Sequence, residues 1–101
     1  MKMIWLLLAL FAGTVSLSLH AGKDLSAGQI RALVKEGEIL SLETILEKNK
    51  QRLKGRLLDL EVEMSHGKVI YEMEFMLENG NVLEVEIDAR TGQLLEQEIN
   101  K

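Results

Sequence analysis

Cysteine is missing from this chain, and so is proline. Without cysteine there is no disulfide framework, no thiolate metal site, no cysteine nucleophile and no cysteine to carry a lipid at a processed N-terminus. Basic residues are the minority charge, 12 Lys and Arg against 16 Asp and Glu, for a formal net charge of -4. That balance argues against nucleic acid as a partner, because phosphate binding draws most of its affinity from clustered cations. At 101 residues the chain has room for one small domain.

What is there begins with an export signal. Lys2 is the only charge in the first 21 residues, and an apolar run from Ile4 through Phe11 leads into Gly13, Thr14, Ser16 and Ser18. A short positive start, an apolar centre and small residues before a polar boundary make the layout of a signal peptide over residues 1–21. Cleavage is expected after Ala21, or alternatively after Ser18. An uncleaved anchor is the weaker reading, because Ile4 to Leu19 falls short of the roughly 20 apolar residues that span a bilayer. The exported chain is then expected in the periplasm or outside the cell, with no membrane insertion once the signal is cut.

The rest of the chain divides by charge and by period. Residues 22–55 hold seven basic and five acidic groups, a balance of +2; residues 56–101 hold four and eleven, a balance of -7. Residues 22–36 read as a helical lead-in, with Ser26 and Gln29 spaced for a reciprocal cap, Ile30, Leu33 and Val34 on one face, and Gly37 suited to closing the helix. A second helix is expected from Ser41 to Gly55, because Leu42, Ile45, Leu46 and Leu53 recur at helical spacing, with Lys48, Lys50, Arg52 and Lys54 on the wet side near its end.

From Arg56 the period becomes two. Leu58, Leu60, Val62 and Met64 alternate with Asp59, Glu61 and Glu63; Val69, Tyr71, Met73, Phe75 and Leu77 alternate with Ile70, Glu72, Glu74 and Met76; Leu83, Val85 and Ile87 alternate with Glu84, Glu86 and Asp88. Three half-buried antiparallel strands follow, with a weaker fourth from Gln93 to Ile99. Apolar residues must meet apolar residues across strands, which sets the register. A two-residue turn at His66-Gly67 pairs Val62 with Tyr71, Leu60 with Met73 and Leu58 with Phe75. Asn79-Gly80 resembles a two-residue hairpin turn, but that choice would pair Phe75 with Glu84. A three-residue loop, Glu78-Asn79-Gly80, pairs Phe75 with Leu83 instead.

The same registers place Glu61, Glu72 and Glu86 in one row of the outer face and Asp59, Glu74 and Glu84 in the next. Leu57, Met76 and Val82 are expected as an apolar row beside them, and Glu63, Ile70 and Asp88 as a mixed row on the far side. Such a face reads either as an ordinary solvated surface or as a docking surface for a basic partner, which would relieve the crowding and speed encounter. Calcium needs six to eight oxygens; carboxylates spread over a flat sheet, without calcium-loop spacing, assign no metal ligands, and no cofactor is implied. For catalysis, Ser26 and Ser41 read as caps and His66 as a turn residue, so no nucleophile, base and orienting acid come together. The chain is not read as an enzyme.

Four segments resemble the PepSY domain, a small module of secreted-protease propeptides and of bacterial envelope proteins. They are Ser41-Leu42-Glu43-Thr44-Ile45-Leu46; Gly55-Arg56-Leu57-Leu58-Asp59-Leu60-Glu61; Tyr71-Glu72-Met73-Glu74; and, most specific, Val85-Glu86-Ile87-Asp88-Ala89-Arg90-Thr91-Gly92-Gln93-Leu94. A proline that often precedes the first strand's glycine is replaced by Lys54. The resemblance implies a helix-on-antiparallel-sheet domain over residues 37–101; with the lead-in helix of residues 22–36, the expected fold is α+β, two N-terminal helices packed on a three- to four-stranded antiparallel meander. The resemblance also implies a role restraining or modulating a partner such as a protease or sensor in the envelope, with no catalytic residues. No protease domain follows in this sequence, so the expected action is in trans. The expected contacts are Asp59, Glu61, Glu72, Glu74, Glu84 and Glu86 as charge and Leu57, Met76 and Val82 as apolar border. A cation or small-ligand sensor using the acidic face is the alternative.

Overall fold

The computed structural model describes residues 22–101; the expected signal peptide lies outside them. A two-residue strand, β1 (Lys23–Asp24), leads into α1 (Ala27–Lys35) and α2 (Leu42–Lys48). Four longer strands follow: β2 (Arg56–Ser65), β3 (Lys68–Met76), β4 (Val82–Asp88) and β5 (Leu94–Asn100). They form one antiparallel sheet in the order β1-β2-β3-β4-β5. The class is the expected α+β, with five strands where three or four were foreseen. β1 has no signature in the sequence, since two residues are too few to show a period.

Local chemistry accounts for the helices. Ser26 Oγ accepts from Gln29 N–H at 3.1 Å while Gln29 Oε1 accepts from Ser26 N–H at 2.8 Å, so two otherwise orphaned donors are satisfied at the start of α1. Ser41 caps α2 by accepting from Thr44 N–H. α2 ends at Lys48, well before the expected stop at Gly55, which leaves Lys50, Arg52 and Lys54 outside it. The reason is Asn49, a buried C-cap whose amide nitrogen donates to Ile45 O and, at 3.0 Å, to Gly92 O in the turn before β5. A longer helix would forfeit that tie. Leu53 still packs against the core from the turns that follow.

One side of the sheet carries the core. Val62, Tyr71, Met73, Phe75, Leu83, Val85 and Ile87 are buried with Ile39, Ile45 and Ala89, and Ile30, Leu33, Val34, Leu42 and Leu46 of the two helices cover them. Leu40 threads between the layers: its N–H donates to Ala89 O at 2.8 Å and its carbonyl accepts from Tyr71 Oη at 2.6 Å.

The strand registers match expectation over most of their length. Tyr71 faces Val62 and Ile87, Met73 faces Leu60 and Val85, and Phe75 faces Leu83. Gly80, at φ +88°, closes the three-residue loop, with Leu77 and Asn81 joined beneath it. His66, at φ +51°, takes the left-handed turn position. One pairing differs: a bulge between Leu57 and Asp59 sets Leu57, rather than Leu58, opposite Phe75 and brings Arg56 opposite Met76. Two adjacent leucines give no alternation to specify the slip. Gly55 sits just before, at φ +93°, so close to Met76 O that any Cβ would collide with it, and the strand begins in that forced approach.

Candidate functional site

The outer face is built by the alternation that builds the core. Across β2, β3, β4 and β5 run Glu61, Glu72, Glu86 and Glu96, and beside them Asp59, Glu74, Glu84 and Glu98. The six acids expected there stand as expected, and β5 widens each row to four. Glu96 and Glu98 were not foreseen because the last strand offers only a weak alternation, interrupted where a second bulge, between Glu86 and Ile87, takes up Leu95. Directly opposed Cβ atoms in a sheet lie about 4.5–5.5 Å apart, where like charges destabilise. The rows line a shallow depression of about 420 Å³ together with Asp24 and Glu63.

Burial, slight as it is, holds the Glu61 carboxyl above the usual glutamate range, reinforced by the negative charges of Asp24, Asp59 and Glu72 and by a hydrogen bond shared with Glu72. At the end of β5, Asn100 Nδ2 donates to Glu84 Oε2 at 2.9 Å.

The apolar border needs correction. Because of the bulge, Leu57 leaves the row of Met76 and Val82 and joins that of Phe75; Arg56 takes its place, and Asn100 completes the row. Met76 and Val82 remain, half-buried. The mixed row stands as expected, with Glu63, Ile70 and Asp88 in line, but β1 extends it by Asp24. Asp24, Glu61 and Glu63 thus converge at the β1 edge, which the sequence pattern did not reveal.

The turn from β4 to β5 is structural. Asp88 Oδ1 accepts from Arg90 N–H at 2.8 Å and from Thr91 N–H at 3.3 Å, and Thr91 Oγ1 accepts from Gln93 N–H. Gly92 closes the turn at φ +81°.

This turn, the β2–β5 meander and α2 coincide with a family match: residues 39–98 fit the PepSY model, described as "Peptidase propeptide and YPEB domain". The chain belongs to the PepSY family. The matched span runs from buried Ile39, before α2, to Glu98 in β5. β1 and α1 therefore precede the PepSY core, although both pack onto it. No curated protein and no solved structure gives a significant match to the chain. Membership marks a regulatory or propeptide-like module. Among the described residues no helix is long and apolar enough to cross a membrane.

Proposed function

We propose that this PepSY protein is an exported regulatory module that docks, through the outer face of its sheet, onto a basic surface of an envelope protein such as a protease or sensor, acting in trans. The observation that carries the reading is the pair of four-residue acid rows spanning β2 to β5. A sheet needs polar residues on its wet side but not the same charge on neighbouring strands, row after row. A cationic partner would turn that repulsion into attraction and accelerate encounter over a long range. Asp59, Glu61, Glu72, Glu74, Glu84 and Glu86 supply the charge, and Met76 and Val82 supply apolar contact at the border. Export rests on the signal-peptide layout of residues 1–21.

Crosslinking and pull-down of the tagged full chain from intact envelopes tests it. A captured basic protein should be lost as salt rises. It should also be lost in Glu72→Lys/Glu74→Lys, with the cooperative melt of that variant preserved. Undiminished capture by the reversed face would reject the docking surface.

A further inference from the structure

The convergence at the β1 edge has a chemistry of its own. Asp24, Glu61 and Glu63 each bring a carboxylate oxygen to within 4.8 Å of the other two. Asp24 and Glu61 are exposed, and exposed acids alone call for no ligand. Glu63 is different: it keeps only 6% of its surface, lying between Asp24 of β1 and buried Ile70 of β3. Gly22 presses on it so closely that a Cβ there would run into the carboxylate. Among the described residues no donor hydrogen-bonds to it and no cation pairs with it. A buried carboxylate is heavily penalised unless positive charge meets it, and here two further carboxylates aim at the same point.

We propose that Asp24, Glu61 and Glu63 form a site for one divalent cation, calcium, which pins the β1 edge to β2. The donors are all hard carboxylate oxygens with no imidazole or thiolate among them, which disfavours zinc and copper. One donor is buried, one stands on a two-residue edge strand and one opens toward solvent. Calcium accepts such an irregular set and completes its shell with water, whereas magnesium demands a near-ideal octahedron. The neighbouring acid rows raise the local cation concentration. Three protein carboxylates with solvent in the remaining positions place the expected Kd on the order of 10⁻⁴ to 10⁻³ M, as in extracellular calcium modules.

This inference shares Glu61 with the docking face but does not rest on the docking reading. Its test is calorimetric titration and thermal melting of the purified full chain with calcium chloride, after chelator treatment, at an ionic strength of about 0.15 M. A single saturable event and a calcium-dependent rise in melting temperature are expected. Glu63→Gln should weaken binding by roughly tenfold or more, because the charge count of the ligands sets affinity. Asp24→Asn, an exposed change that keeps the fold, should do the same and carries the test if Glu63→Gln does not fold. Glu84→Gln/Glu98→Gln, which thins the acid rows away from the site, should lower the affinity by no more than about twofold, through the weaker field alone. No heat and no melting shift at millimolar calcium would overturn the site. So would a response that Asp24→Asn retains, or one that Glu84→Gln/Glu98→Gln diminishes equally, since either would report diffuse counterions. Loss of calcium binding leaves the capture experiment untouched, and loss of capture leaves the calcium site standing.

Discussion

At the scale of single residues, two side chains hold the helical layer to the sheet. Asn49 spends both protons of its amide on carbonyls, one in its own helix and one 43 residues away in the β4–β5 turn, and it is 4% exposed. Asn49→Ala leaves the Gly92 carbonyl without this donor and opens a buried gap, so a loss of about 1–3 kcal/mol is expected in urea unfolding. Tyr71 is the chain's only tyrosine. Burial, with a smaller contribution from the negative charge of Glu43, raises its pKa above the ordinary value near 10. The fold therefore prefers the neutral phenol, whose proton is donated to Leu40 O. The sign follows: the folded state holds a proton that the unfolded state loses first, so stability is intact below about pH 10 and declines as pH rises from the ordinary tyrosine value toward the folded one. Phenolate absorbance should appear later in the folded chain than in urea, and Tyr71→Phe should flatten the alkaline loss of stability attributable to this group. Capping by Ser26 was legible because its partner is three residues away. Asn49 was not, because nothing local announces Gly92.

At the scale of elements, the strands were legible in proportion to their length and alternation. β4 carries an unbroken period-two pattern and β3 one through its centre, from Tyr71 to Phe75, and their pairing follows from matching apolar faces. The pattern fails where it loses contrast: at Leu57-Leu58, where the bulge moved one expected contact residue off the face, and at Leu94-Leu95, where β5 slips. β1 is defined wholly by its neighbour, through Lys23 and Asp24 opposite Met64 and Glu63. The acid rows belong to this scale too. Glu74 stands directly opposite both Asp59 and Glu84. Glu74→Lys should therefore raise stability by about 0.2–1 kcal/mol in denaturant unfolding, by exchanging two repulsions for two attractions. The gain should shrink as salt screens both states of the face. If the face is used for docking, the same change weakens capture, and the native sequence retains a destabilising charge for the sake of binding.

At the scale of the whole molecule, charge and layering coincide. The segment with a +2 balance is the one that supplies the helical layer, and the segment with a -7 balance supplies the four long strands. The sheet turns its apolar side to the helices and its acids outward, so the domain presents a one-sided negative plate. The proposed export is also tested at this scale. Intact-mass analysis of the protein recovered from an envelope fraction should show a chain beginning at Gly22, or at Leu19 for the alternative cut. A mass that retains residues 1–21 would place the module on an uncleaved anchor.

The amino-acid order by itself determined which side of β2, β3 and β4 is oily and which is acidic, where the helices begin, and the resemblance to PepSY, because each of these depends on spacing over a few residues. Only the tertiary structure decided where α2 stops, which leucine faces Phe75, and that Asp24 meets Glu61 and Glu63. Those outcomes are settled by contacts between segments distant in the chain. The physical reason is that a side chain's burial and charge environment come from what packs against it, and a two-residue edge strand or a single bulge can change that environment without leaving a periodic trace.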